Sequence, residues 1–101
     1  MRTIYSQQQI IRTKAIAKII GDVSNVLIFY ELMNFGEKSF NELKRMTDIN
    51  AVTLSRKLSI LKDEGLVDSH GFGNENRYFL TGKSEELRPL IKAIERLVIK
   101  K

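Results

Sequence analysis

The chain has 101 residues, 43% of them hydrophobic and 29% charged, which predicts one soluble folded domain with a single core. It contains no cysteine and one histidine, His70, so disulfides, thiolate metal sites and a histidine metal cluster are excluded, and we expect neither metal nor cofactor. The net charge of +5 suits nucleic acid or an anionic membrane surface as a partner. No apolar run is long enough to span a bilayer and the N-terminus has no signal-peptide pattern, so we expect a cytoplasmic protein that does not enter a membrane.

The first predicted element is a helix over residues 6–20. Its apolar side chains recur at helical spacing on one side, whereas Arg12, Lys14 and Lys18 lie off that stripe. Residues 1–21 carry no acidic side chain, so this segment is basic along its whole length. Gly21 breaks the helical pattern.

A second helix is predicted over residues 22–35, where few positions are polar. A helix that is apolar nearly all round is a buried one, so this segment is expected at the centre of the core. Gly36 suits the position just past its C-terminus. Phe29, Tyr30 and Met33 either pack in that core or line a small-molecule pocket.

The next segment, residues 38–40, is predicted to be short and extended. Ser39 and Glu42 then match the capping box, in which each side chain accepts a hydrogen bond from the other residue's backbone N–H. A short helix follows to about residue 46, and residues 47–49 form a tight connection. The side chains expected to face inward from this helix are Phe40, Leu43 and Met46.

The helix predicted over residues 51–64 has a chemical signal at both ends. Asn50 is a good N-cap, and Gly65 suits the position after the last turn. Leu66 would then contact Leu61, which is the hydrophobic pair of a Schellman motif. The inward stripe of this helix is Leu54, Leu58 and Leu61.

Residues 66–72 and 77–80 are predicted to be two strands of a β-hairpin. Gly71, Gly73, Asn74 and Asn76 lie between or near them and accept positive φ, which indicates a loose tip. Ser84 or the preceding Thr81 is expected to cap a last helix that runs to residue 99. Pro89 falls in the first turn or two of that helix, where it is tolerated.

The two terminal helices predict self-association. In the last helix, the apolar positions 87, 91, 94 and 98 alternate spacings of four and three, as in a coiled-coil seam. This stripe packs either on a second copy of the chain, giving a homodimer, or on the central helix of the same chain. The residues predicted to form the dimer contact are Ile11, Ala15, Ile19, Leu87, Leu90, Ile91, Ile94, Leu97 and Val98.

The order of elements is helix, helix, short strand, helix, turn, helix, hairpin, helix. Two helices joined by a short turn and followed by a hairpin predict a winged helix-turn-helix, a mainly α fold with a small β-hairpin (α+β). We therefore expect one domain over residues 1–101. Its parts are an N-terminal helix (1–21), a winged-helix core (22–83) and a C-terminal helix (84–101).

Residues 40–67, FNELKRMTDINAVTLSRKLSILKDEGLV, resemble the HxlR-type regulators within the broader MarR/ArsR winged-helix group. The segment Phe40-Asn41-Glu42-Leu43 matches the F-N-E-L of the family pattern R-F-N-E-L. The positions that match the following pattern, I-S-x-x-x-L-x-x-x-L-x-x-L-x-x-x-G-L-V, are Ile49, Leu54, Leu58, Leu61, Gly65, Leu66 and Val67. The sequence YFLT at residues 78–81 is similar to the strand-to-helix ending of the group. Gly21-Asp22-Val23 stands where the family often has Gly-Lys-Trp, and residues 70–77 replace its proline-containing wing.

The helix-turn-helix reading assigns the helix over residues 51–64 to the DNA major groove. Short outward side chains allow close approach, and Arg56 can reach a guanine edge or a phosphate. Lys44 and Arg45, on the preceding helix, either contact phosphate or face solvent, as does Lys57 at the edge of the buried stripe. The residues predicted to contact DNA from the two helices are Lys44, Arg45, Asn50, Val52, Thr53, Ser55, Arg56, Lys57 and Ser59.

The hairpin supplies further candidates, Asn76 and Arg77, with His70 and Asn74 nearby. An arginine in a hairpin tip can enter the minor groove or contact its phosphates. The alternative for Arg77 is a cross-strand ion pair with Asp68 or with Glu75. His70 is expected to be an exposed strand residue.

These observations predict a sequence-specific transcription regulator that binds double-stranded DNA as a homodimer. Two alternatives remain open: a weakly selective DNA-coating protein of the same fold, and a winged helix used only for protein contacts. An enzyme is not expected, because the chain has no cysteine nucleophile, and Asp63 and Glu64 point about 100° apart on a helix. The family resemblance implies that a small-molecule effector is possible, without naming one.

Overall fold

The computed structural model describes residues 4–99, and its elements follow the predicted order. Five α-helices and three short strands form a mainly helical winged helix-turn-helix, as predicted. The bounds are α1 Gln7–Ile20, α2 Val23–Phe35, β1 Lys38–Ser39, α3 Phe40–Thr47, α4 Ala51–Asp63, β2 Val67–Phe72, β3 Glu75–Leu80 and, after a 3₁₀ turn over Gly82–Leu87, α5 Arg88–Ile99.

Short polar side chains fix where the helices begin. The predicted capping box is present: the Glu42 backbone N–H donates to Ser39 Oγ at 3.1 Å, and the Ser39 N–H donates to Glu42 Oε1 at 2.9 Å. Asp22 caps α2 and Asn50 caps α4, each accepting a backbone N–H three residues on. Ser6 caps α1 in a second capping box, which the sequence analysis did not identify. These contacts satisfy donors that a helix N-terminus leaves without partners.

The C-terminus of α4 is the predicted Schellman motif. The Leu66 N–H donates to the Leu61 carbonyl at 3.0 Å, and the Gly65 N–H donates to the Lys62 carbonyl at 2.9 Å. Gly65 has a φ of 76°, a left-handed conformation that favours glycine. The motif turns the chain directly from α4 into β2.

The core lies where α2 meets the other helices and the sheet. Ile28, Phe29 and Leu32 of α2 are buried, which confirms its predicted central place. The apolar pattern of α2 also reaches the surface, however, because Val23 is 73% exposed and Phe35 is 65% exposed. The other buried apolar side chains of the core are Ile19, Leu43, Ile49, Leu54, Leu58, Leu61, Leu66, Val67, Leu87 and Ile91.

The inward placement predicted for Met46 is wrong. Leu43 is buried and Phe40 is half-buried, but Met46 is 53% exposed. The helix α3 is only eight residues long and turns away at Asp48, which adopts a left-handed φ of 59°. Its last turn therefore passes beyond the edge of the core.

The strands form one antiparallel sheet in the order β1-β3-β2. The register runs from Val67 opposite Leu80 to Phe72 opposite Glu75, so two residues connect the strands. The tip is therefore tight rather than loose, with Gly73 at a φ of 64°. The strand β1 adds a third strand by pairing with β3, a pairing that the sequence did not predict.

The connection to α5 differs from the predicted helix cap. The Thr81 hydroxyl donates to the Gly65 carbonyl at 2.6 Å, and the Ser84 hydroxyl donates to the Thr81 carbonyl at 2.6 Å, so both act as donors in the turn. Neither hydroxyl caps α5, which starts at Arg88 after the 3₁₀ turn. Pro89 lies in the first turn of α5, as predicted.

A polar contact holds α5 against α2. The Asn34 side-chain amide donates to Glu95 Oε2 at 2.8 Å, and Lys92 Nζ donates to Asn34 Oδ1 at 2.8 Å.

Within residues 4–99, no helix is both long and apolar enough to cross a membrane.

Candidate nucleic-acid interface

The outward face of α4 carries small and basic side chains that the fold leaves exposed. Val52, Ser55, Arg56 and Ser59 are all exposed, and they lie opposite the buried leucine stripe. The Thr53 backbone N–H donates to Asn50 Oδ1 at 2.9 Å, which fixes the register of the first turn. The surface formed by these residues is shallow and concave, and it extends to Phe40, Ala51 and Ile60.

A second concave surface joins α3 to the start of α4. Lys44 and Arg45 are exposed there beside Asn50. In the part of the chain that the structure describes, no hydrogen bond or ion pair engages the side chains of Lys44, Arg45 or Arg56. Two free cationic groups therefore lie at this surface, and a third, that of Arg56, lies on the outward face of α4. Asn41 and Ala51 also line it and were not identified from the sequence. Asn41 is an exposed amide next to Glu42, and its place within the capping-box sequence SFNE is the signal that could have identified it.

The structure separates Lys57 from the other candidates on α4. Its ammonium lies 2.6 Å from Asp22 Oδ2, and the side chain is half-buried. The hydrogen bond from Lys57 is the main reason why the pKa of Asp22 lies below its usual range, although burial opposes that shift. Since neighbouring residues point about 100° apart on a helix, Lys57 faces α2 while Arg56 faces outward. Its ion-pair partner lies 35 positions earlier in the chain.

Arg77 is bound within the protein on the sheet. Its Nε lies 2.9 Å from Glu37 Oε1 and its Nη1 lies 3.1 Å from Glu75 Oε2, while Nη2 donates to the Glu37 carbonyl. The Glu75 contact is on the same strand rather than across the hairpin, and Asp68 is not among the partners found within residues 4–99. The guanidinium side chain is 21% exposed. Arg77 thus holds β3 to the segment before β1.

His70 shares the same carboxylate. Its Nε2 lies 3.2 Å from Glu37 Oε2, and this hydrogen bond is the main reason why the pKa of His70 is raised. The same contact, followed by the one to Arg77, holds the pKa of Glu37 below its usual value. His70 remains exposed on its strand, as predicted. Glu37 was not identified from the sequence.

The end of the hairpin presents a different chemistry. Asn74 and Asn76 are exposed, and Phe72 is 66% exposed at the last position of β2. The Arg77 guanidinium carbon lies 6.0 Å from the centroid of the Phe72 ring, within the range of a cation–π contact.

An apolar groove of about 310 Å³ lies away from α4, where α1 and α2 meet α5. Tyr30 lines it, and burial raises the pKa of that hydroxyl. Phe29 is part of the core, and Met33 packs against that core. Neither residue lines this groove. The remaining lining residues are Ile20, Gly21, Val23, Val26, Leu27, Ile94 and Val98.

The residues predicted for the dimer contact divide into three sets by their exposure. Ile19, Leu87 and Ile91 are buried in the core of the chain itself, so their side chains do not form part of a free surface. Ala15 and Ile94 are half-buried. The exposed members are Ile11, Leu90, Leu97 and Val98.

The family model described as "HxlR-like helix-turn-helix" matches residues 19–100, most of the chain. The chain belongs to the HxlR-like helix-turn-helix family. The matched region includes every candidate residue on α3, α4 and the hairpin. This HxlR-like protein is therefore a DNA-binding transcription regulator by family and not an enzyme, and double-stranded DNA is the partner that its family supports.

Solved structures share the fold of this HxlR-like chain. The transcriptional repressor BigR from Xylella fastidiosa is 22% identical with a TM-score of 0.76, and the match covers 90% of each chain. HlyU from Vibrio cholerae is 21% identical with a TM-score of 0.77, covering 94% of this chain and 100% of that one. A predicted DNA-binding transcriptional regulator from E. coli is 25% identical with a TM-score of 0.74, covering 90% and 94%. The search of curated proteins found no match.

Proposed function

We propose that this chain is a homodimeric, sequence-specific transcription regulator that places α4 in the major groove of DNA. The observation that carries the proposal is the outward face of α4. Arg56 stands there among short side chains and is engaged by no other described residue. An arginine so placed reaches the O6 and N7 atoms of guanine, whose paired acceptors match its two donors.

Contacts to the DNA backbone would come from α3. Lys44 and Arg45 border the start of α4, where the first helix of a helix-turn-helix crosses the phosphates. Asn41 and Asn50 line the same concave surface and add amide donors. Phosphate contacts of this kind position the protein on DNA and supply the salt-dependent part of the affinity, while α4 supplies the sequence preference.

Self-association would use the apolar groove and the exposed residues near it. Val23 and Val98 line the groove, and Leu97 is exposed in the last turn of α5. Burying these side chains against a second copy removes apolar surface from water. A two-fold dimer would set its two copies of α4 about 34 Å apart, one turn of DNA, and so would recognise a palindromic site.

Selection of binding sites from randomised duplexes tests the proposal as a whole. An enriched palindrome with half-sites one helical turn apart is the expected result. Binding with steep salt dependence but no enriched sequence would instead support a DNA-coating protein. Absence of binding even at low salt would favour a winged helix used only for protein contacts and would overturn the proposal.

A further inference from the structure

The hairpin of strands β2 and β3 does not offer a free cation to DNA. It carries two carboxylates, Asp68 and Glu75, against one guanidinium, that of Arg77. That guanidinium is held by Glu37 and Glu75, and His70 shares Glu37. Its cationic groups are thus already engaged by carboxylates, which leaves its uncharged groups as the candidates for a contact with DNA.

Phe72 is the largest uncharged group at the end of the hairpin. Its ring is 66% exposed at the position just before the two-residue turn. The glycines on either side carry no side chain, and the space around them is open, since no heavy atom lies within 4 Å of a Cβ built at Gly71 or Gly73. The Arg77 guanidinium lies over one face of the ring, with its carbon 6.0 Å from the ring centroid. The tip of the hairpin thus presents an exposed aromatic ring between two glycines, with the Arg77 guanidinium over one face of the ring.

We propose that Phe72 contacts the wall of the DNA minor groove and gives the hairpin an apolar, salt-independent part of the binding energy. The inference rests on the proposed function, because it needs α4 to lie in the adjacent major groove. Proteins that enter the minor groove often do so with apolar side chains, including phenylalanine. Asn74 and Asn76, exposed on the same tip, supply amide groups of the kind that read minor-groove edges.

The position of the hairpin fits this partner. Lys62 Nζ, in the last turn of α4, donates to Ser69 Oγ of β2 at 2.8 Å, so the hairpin is attached to the helix proposed to read the bases. A strand of six residues spans roughly 20 Å. The centres of adjacent major and minor grooves lie about 17 Å apart, half of the roughly 34 Å helical turn of DNA. The tip therefore has the reach to meet the neighbouring minor groove.

Substitution with a matched control tests the contact. Phe35 is 65% exposed at the end of α2, so Phe35→Ala removes an equally exposed ring that is on α2 rather than on the hairpin. Binding to a labelled 30-bp duplex of mixed sequence is measured by fluorescence anisotropy across a salt series. We expect Phe72→Ala to weaken binding about fivefold or more, as for loss of buried aromatic surface. The slope of log K against log salt should stay unchanged, whereas Arg45→Ala should reduce it by about one.

A photo-crosslink identifies the partner directly. p-Benzoylphenylalanine in place of Phe72 should crosslink to the DNA strand on irradiation, and the same analogue in place of Phe35 should not. The inference is overturned if Phe72→Ala binds as tightly as Phe35→Ala, or if the crosslink forms only with protein. If the unmodified chain binds no duplex at low salt, the proposed function fails as well. If the unmodified chain binds the duplex and Phe72→Ala binds it equally well, this inference is overturned and the proposed function is not.

Discussion

Arg56 and Lys57 are neighbours in sequence with opposite surroundings. Arg56 is exposed and engaged by no other described side chain, while Lys57 is held by Asp22. The helical period separates them, because one residue step turns the side chain by about 100°. Sequence periodicity predicted that Lys57 lies near the edge of the buried stripe. It did not identify Asp22, since that partner is brought close only when α2 packs on α4.

Arg56→Ala should weaken binding to the selected DNA site by about 1–3 kcal/mol, as for loss of a bidentate base contact. Discrimination at one base pair should relax at the same time. Anisotropy titrations against the selected duplex and against single-base variants measure both effects. Arg88→Ala is the control, since Arg88 is an exposed arginine of α5 that pairs with Glu85 and lines neither concave surface beside α4. Equal affinity and selectivity for Arg56→Ala and the unmodified chain would contradict the role given to Arg56.

The ion pair between Asp22 and Lys57 makes a prediction about pH. The pKa of Asp22 is lowered in the folded chain, so its stabilising effect is present above the unfolded pKa and is lost as the pH falls through the folded pKa. Asp22→Asn keeps a good N-cap but removes the charge. It should lower the free energy of unfolding by about 0.5–1 kcal/mol at pH 7 and have less effect near pH 2.

Urea denaturation at several pH values measures that difference. Asp63→Asn is the matched control, because Asp63 is exposed at the end of α4 and contacts no charged group among residues 4–99. A constant destabilisation from pH 7 to pH 2 would show that Asp22 acts through something other than its charge.

The helix α4 shows what sequence alone predicts well at the scale of an element. Asn50, Gly65 and the leucine stripe define its ends and its buried face through contacts within a few residues, and the structure has all three. The predictions that were wrong or missing concern contacts between segments far apart in the sequence. The exposure of Met46 and the pairing of β1 with β3 depend on where distant segments lie. The tight hairpin tip was missed because the second strand was predicted to start at residue 77, whereas Glu75 and Asn76 already belong to β3.

Gly65→Ala should destabilise the fold by about 1–2 kcal/mol, the cost of a left-handed conformation for a residue with a Cβ. The cost is conformational, since an added Cβ would meet only Lys83 side-chain atoms, at 3.5 Å and 3.6 Å. Gly82→Ala is the control: its backbone is not left-handed and no atom lies within 4 Å of a built Cβ. Urea unfolding curves of the two variants should differ by that amount, and coincident curves would refute the explanation.

At the scale of the whole molecule, apolar surface remains on two sides. One side is the outward face of α4, and the other is the groove where α1, α2 and α5 meet. The sequence predicted that the terminal helices carry apolar stripes, but not how each stripe is divided. Ile19, Leu87 and Ile91 complete the core, and Ile11, Leu90, Leu97 and Val98 stay outside it. The periodicity of the sequence predicts an apolar stripe, whereas the packing of the folded chain determines which side chains of that stripe stay exposed.

Val23→Asp should shift the proposed dimer to monomer, because a carboxylate in an apolar contact must lose its hydration. Val52→Asp is the matched control, since Val23 and Val52 are both 73% exposed but lie on different faces. We expect Val52→Asp to remain dimeric and to lose DNA binding. Sedimentation velocity over a concentration series measures the distribution. A dimer that survives Val23→Asp would place the contact elsewhere.

The corner between α1 and α2 connects these two sides. Asp22 caps α2 with one carboxylate oxygen and holds Lys57 of α4 with the other, while its neighbours Gly21 and Val23 line the groove. A molecule or a second copy of the chain bound in the groove would thus contact the two sequence neighbours of Asp22, the residue that pairs with Lys57 of α4. If binding in the groove changes the affinity for DNA by some factor, thermodynamic linkage requires that DNA binding change the affinity of the groove for its occupant by the same factor. The Asp22–Lys57 ion pair is the contact through which such a coupling would pass.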